Sequence, residues 1–167
     1  MILDHPADLF KACRRISPIN PDYANLPTRQ GFNWFSCLGD ARFGRLYLVV
    51  FRSVRRATAE LGLLKEHDDR AFEAALEAGG LLRYFKGQMN QRRECLSFCL
   101  WERKEQAVTL PLVAPSTGLQ AQVTAETYES YTLERYELTN DDTGDLAFRR
   151  LEGTPARAGA DPSGVSA

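Results

Sequence analysis

The sequence predicts an α+β domain built on an antiparallel sheet with helices packed against it. Four strand-like runs, at 46–54, 81–89, 93–102 and 131–138, are rich in β-branched, aromatic and aliphatic residues. A helical stripe separates the first two runs, and a second helix start follows the third. The run RECLSFCLWE (Arg93–Glu102) has no face suited to water: Cys95, Ser97, Cys99 and Trp101 alternate with Leu96, Phe98 and Leu100. A sheet holding such a strand has to be covered on both sides.

The elements follow in order. At the N-terminus, Asp4 can cap a short helix, Pro6 suits its first turn, and Leu9, Phe10, Cys13 and Ile16 mark one face. Ser17–Pro18 ends it, and Pro18, Pro21 and Pro27 make the next stretch an irregular connector. The aromatic-rich GFNWFSCL (31–38) reads as a short strand before a turn at Gly39–Gly44. LYLVVFRSV (46–54) is a strand apolar on both faces. Residues 58–78 form a helix with Leu61, Leu64, Ala71, Phe72, Ala75 and Leu76 on its stripe, stopped by Gly79–Gly80. LLRYFKGQM (81–89) is a strand, and Asn90–Arg93 its hairpin turn into RECLSFCLWE. A helix begins at Glu102–Val108, is interrupted by Pro111, Pro115 and Gly118, and resumes from about Leu119 to Tyr128. YTLERYEL (131–138) is the last strand. From Asn140 the composition shifts to Gly, Ala, Pro, Ser and Asp, which predicts a disordered tail over 140–167. The division is thus an N-terminal extension (1–44), an α+β domain (45–139) and a tail.

Composition narrows the function classes. The 167 residues carry 21 basic and 22 acidic side chains, a net charge of −1, and the arginine pairs are scattered, so no nucleic-acid-binding module is indicated. No apolar run approaches a membrane span and the first residues lack the pattern of a secretory signal, which makes the cytoplasm the expected location. Four cysteines without a CxxC pair, and two histidines, give no zinc site and predict reduced, buried thiols. The glycines lack phosphate-loop spacing.

The β-α-β-β-α-β order is the ferredoxin-like arrangement, with both helices on one face of a four-stranded sheet. From about Arg45 to Leu138 the chain resembles the dimeric α+β barrel proteins, and within them the antibiotic-biosynthesis-monooxygenase-like domains. The resemblance rests on the element order, on the strand ending in Trp101–Glu102 where the second helix begins, and on YESYTLERYEL closing the domain. It implies a homodimer packed through the bare sheet faces and a cavity between each sheet and its helices. It also implies a small aromatic ligand, oxidised without a cofactor in a monooxygenase-like reaction. Haem held by His67 is the alternative suggested by haem-degrading relatives. Two features depart from the pattern: LPLVAPSTG breaks the second helix, and residues 1–44 add an extension whose Leu9, Phe10, Phe32, Trp34 and Phe35 could cover the bare face in place of a second subunit.

The candidate pocket residues are His67, Asp68, Arg83, Tyr84, Cys99, Trp101 and Tyr128. His67 could bind iron or move protons, although Glu66, Asp68 and Asp69 around it favour a solvated helix face. Asp68 falls within the apolar stripe if the helix is unbroken; the favoured reading is a helix restart capped by Asp68 or Asp69. Arg83 and Arg52 lie inside apolar strands and could each hold a ligand carboxylate or pair with an acidic neighbour such as Glu134. Trp101 and Tyr84 could stack on a planar ligand or complete a core. Cys99 reads as an inert core thiol before a nucleophile. Tyr128, near Tyr131, could reach the cavity or cap the sheet edge. A non-catalytic binding protein and a structural or interaction protein are the alternatives to an enzyme.

Overall fold

A computed structural model describes residues 6–108, 125–140 and 143–151. The chain forms α1 (Pro6–Arg14), α2 (Thr28–Gly31), α3 (Trp34–Leu38), β1 (Leu46–Arg55), α4 (Leu61–Ala78), β2 (Leu81–Phe85), β3 (Glu94–Trp101), α5 (Lys104–Val108), β4 (Tyr128–Asn140) and β5 (Leu146–Arg150). The side chains at 61, 63, 64, 67, 68 and 71 in α4 lie outside the described residues. The strands make one five-stranded sheet in the order β2-β3-β1-β4-β5. Every pairing is antiparallel. This is an α+β protein with an open sheet, and its first four strands lie in an order consistent with the ferredoxin-like class.

β1 sits at the centre because it is apolar on both faces. In its register with β3, Val49 faces Cys99 and Val50 faces Phe98. The alternation read in RECLSFCLWE is therefore real: Leu96, Phe98 and Leu100 enter one buried cluster, Cys99 and Trp101 the other. The turn at Asn90–Arg93 closes with Arg93 N–H on the Asn90 carbonyl at 3.0 Å, and Arg93 takes a left-handed φ of 62° to do so. Gly79, at φ 73°, ends α4. At Gly87 the chain passes so close to β3 that a Cβ would collide with the Leu96 carbonyl oxygen, so only glycine fits.

The first sheet face is covered by the chain itself. Ala12, Cys13, Ile16, Phe32, Trp34 and Leu38 pack on Leu46, Leu48, Val50, Phe98, Leu138 and Leu146. The N-terminal extension is thus a layer of the fold, and the core crosses the 44/45 boundary expected from the element pattern that starts at Arg45. Sheet-to-sheet pairing of two subunits would have to displace this layer. Trp34 anchors it, with its Nε1–H donating to the Thr28 carbonyl at 2.8 Å. Arg52 is a second tie: Nη1 and Nη2 donate to the Ala24 and Leu26 carbonyls at 2.7 Å each, and Nε to the buried Glu134 carboxylate. Glu134 also accepts the Tyr136 hydroxyl at 2.6 Å. The amide of Asn140 donates to the carbonyls of Leu38, Gly39 and Ala41.

Three expectations are corrected. The WFSCL part of GFNWFSCL is helical, Phe32 making a lone antiparallel bridge to Pro18: Trp34, Cys37 and Leu38 are buried at the i, i+3, i+4 spacing of one helix face, which aromatic content alone obscures. Within the tail expected from Asn140, LAFRR forms β5; its Leu146 is buried and its Phe148 ring lies 5.5 Å from that of Trp34, an alternation hidden by the Gly- and Ala-rich surroundings. The rest of that stretch, 152–167, lies outside the described residues. Finally, α4 runs unbroken through 67–68, so no capped restart occurs at Asp68 or Asp69. The expected resumption of the second helix at 119–124 lies outside the described residues, and Tyr128 belongs to β4, which starts three residues earlier than the run 131–138.

The second sheet face carries Tyr47, Val49, Cys99, Trp101 and Leu133, packed against Ala75 of α4 and Ala107 of α5. No helix among the described residues is long and apolar enough to cross a membrane.

Candidate functional site

β2 is an edge strand, and the layers on its two faces do not close over it. α1 flanks one side and α4 the other, leaving a groove of about 300 Å³ around the edge. The pleat sends alternate residues to opposite sides. Arg83, in register with Leu100, turns toward α1, while Tyr84, in register with Cys99, turns toward α4. Phe10 and Arg14 form the α1 wall; Phe72 and Leu76 form the α4 wall. The Phe72 and Tyr84 rings lie 5.2 Å apart at 45°, an aromatic shelf on one side of the strand.

The other side is cationic. Arg83 Nη2 donates to the Ile16 carbonyl at 3.2 Å, and its guanidinium carbon sits 5.9 Å from the Phe85 ring centre. Its Nε is buried without a hydrogen-bond partner. Burial and, second, the Arg14 cation pull Arg83 below the usual arginine value; it stays charged at any physiological pH. Arg14 lies over Phe10, 5.6 Å from the ring centre. Lys86 and Asp69 complete the lining. The Asp69 carboxylate accepts the Lys65 ammonium at 2.6 Å, which holds it below the usual aspartate range.

The structure thus brings together Arg83 and Tyr84 of the sequence candidates. Cys99 and Trp101 lie in the core under α4 and α5, each 1 % exposed; burial pushes the Cys99 thiol far up, which removes it as a nucleophile at neutral pH. Tyr128 is at the start of β4, against Tyr131 with ring centres 5.4 Å apart. β4 is three strands from β2, about 14 Å at roughly 4.8 Å per strand. The side chains of His67 and Asp68 lie outside the described residues, on the helix that supplies Asp69 and Phe72. Arg52 is committed to Glu134 and the N-terminal layer, the structural role foreseen for it. Among the described residues no cluster of His, Cys, Asp or Glu could hold a metal ion, and all four cysteines are buried and outside any disulfide.

Sequence reasoning missed Phe10, Phe72 and Leu76 as site residues, because apolar positions on amphipathic helices read as core, and Arg14 and Lys86, because scattered surface cations read as solvated. The available signal was β2 itself: a short strand with an inward arginine and a following lysine has the marks of a sheet edge.

The sequence matches the PB2B2.08-like family over residues 2–150. The chain belongs to that family. No curated protein matches it. The family's span starts ahead of α1 and ends on the last residue of β5, so the N-terminal layer and the fifth strand belong to one unit with the sheet. Both walls of the groove fall inside it.

Proposed function

We propose that the protein is a small-molecule-binding protein whose ligand lies in the β2-edge groove, its flat apolar part against Phe72 and Tyr84. One observation carries this reading: Phe10, Phe72 and Leu76 are 42 %, 36 % and 56 % exposed on facing walls of the same groove. Scattered apolar residues on a surface are ordinary, but a concave cluster beside convergent polar groups is the form of a ligand site. The volume suits a ligand of one or two fused rings. Behind it we read a ferredoxin-like βαββαβ core extended by β5 and roofed by residues 6–43, a reading supported by the strand order.

Binding without turnover is preferred to the monooxygenase-like oxidation of an aromatic substrate. In the groove Asp69 is engaged by Lys65, and Cys99 and Trp101 lie outside it, sealed in the core. The remaining groups offer shape, ring faces and positive charge, which suit holding a molecule better than activating it.

The test is a titration with flat compounds of one to two rings, such as indole and 2-naphthol, followed by NMR shift changes and by calorimetry. Saturable binding should perturb Tyr84, and Phe72→Ala should weaken it about three- to tenfold by loss of the ring contact while the far-ultraviolet spectrum stays the same. Equal affinity in the Phe72→Ala variant, or no binding at millimolar concentration, would overturn the proposal.

A further inference from the structure

Charge around the groove does not balance. Among the described residues, the cations Arg14 and Arg83 line it together with Lys86, and the carboxylate there, Asp69, is already paired with Lys65. Arg83 is the telling member. It is partly buried on an apolar strand, the charge that acts on it is that of another arginine, Arg14, and its Nε–H has no acceptor. Elsewhere in this chain a strand arginine in a similar setting is given its own carboxylate: Arg52 pairs with Glu134 across the β1–β4 ladder. The partner of Arg83 in the ladder is Leu100, and the side chain reaches only the Ile16 carbonyl. A partly buried guanidinium with an unsatisfied donor is destabilising until an acceptor meets it.

We propose that the ligand carries an oxyanion, a carboxylate or a phosphate, seated between Arg83 and Arg14 while its apolar body crosses the β2 edge to the Phe72–Tyr84 shelf. This deepens the groove reading and rests on it. The planar fork of Arg83 matches two oxygens of such a group, and Arg14 on the α1 wall that Arg83 faces adds a second positive charge. The strand edge lies between the cationic and aromatic sides, so the ligand has its charge at one end and its rings at the other. A molecule with the anion at the centre of a fused ring system would not satisfy both.

Matched probes test this: 2-naphthoate, 2-naphthyl phosphate, 2-naphthol and 2-naphthylmethylamine, titrated by calorimetry at low salt. One or both anions should bind about tenfold or more tighter than the neutral naphthol, the gain expected from charge-assisted hydrogen bonds, and the amine weakest of all. Whichever anion binds tighter identifies the headgroup. Arg83→Gln should bring the anions down to the affinity of naphthol and leave naphthol itself unchanged; Arg83→Lys should restore part of the gain. Arg14→Gln, at an exposed helix position, should reduce the anion preference even if Arg83 variants fold poorly. If naphthol binds as tightly as the anions, the oxyanion seat is overturned and the groove survives. If none of the four binds, the groove reading falls with it.

Discussion

The two faces of the sheet are covered by different means. Under the N-terminal layer, Phe32, Trp34 and Phe98 interlock with ring centres 5.1–5.8 Å apart, each at most 1 % exposed. Backbone carbonyls of that layer are tied down by Arg52, Trp34 and Asn140. On the α4 side, the described helix side chains bury Ala75 and leave Phe72 and Leu76 open. One face is finished as a core, with its backbone carbonyls tied down and, among the described residues, only Asn140 Oδ1 and, at the β2 edge, Arg83 Nε left without a partner. The other ends in a ragged apolar margin at β2. The contrast separates stability from function: the irregular segment of the chain holds the fold together, and the regular amphipathic helix leaves a place for a ligand.

The largest effect should come from the finished face. Trp34→Ala removes a fully buried indole and its hydrogen bond to Thr28, and should cost about 3–5 kcal/mol in urea unfolding. A loss below about 1 kcal/mol would mean that the N-terminal layer is a loose flap and the contrast is false.

The contrast also explains what the sequence disclosed. RECLSFCLWE and LYLVVFRSV announced a sheet with no face for water, since side-chain alternation is a local property. The strand order follows from the same runs with a helix between them. What covers the first face was not legible. Trp34, Cys37 and Leu38 become a buried helix face only when the segment docks on the end of α1, where the Asn33 amide accepts Ser17 N–H and donates to the Arg15 carbonyl. These are contacts across some sixteen to eighteen residues. β5 depends on β4 in the same way. For the site, Arg83 and Tyr84 were visible as polar and aromatic interruptions of a strand. Their partners Phe10 and Phe72 were not, because a helical stripe looks the same whether its end is covered or projects past a sheet edge.

A smaller effect sharpens the polar side of the comparison. Burial, and then the hydrogen bond to Glu134, push the Tyr136 hydroxyl up to about 12. A phenol whose folded value lies above its unfolded value of 10.0 contributes stability that is complete below pH 10 and is lost as pH rises through about 12. Arg52 and Arg150 oppose the rise without cancelling it. Tyr136→Phe should therefore cost about 1–2 kcal/mol at neutral pH, by leaving Glu134 without that donor. Its stability should also fall less steeply than the parent's between pH 10 and 12. Parallel curves across that window would show that the hydroxyl is not engaged.

The smallest effect is the most discriminating for the open face. Leu76 is the last residue of the predicted apolar stripe of α4, and a helix whose whole stripe were core would lose about 2–5 kcal/mol on its truncation. At 56 % exposure it has little buried area to give up. Leu76→Gln keeps the helix propensity and the length of the side chain, so stability should change by no more than about 0.5 kcal/mol. Affinity for a flat ligand should nevertheless fall, because the same substitution places an amide on the apolar wall of the groove. Loss of stability equal to that of a core leucine would show that α4 closes over the sheet as tightly as the N-terminal layer does. Unchanged stability with weakened binding would establish that this margin is kept for a ligand, at the one place where the two coverings of the sheet fail to meet.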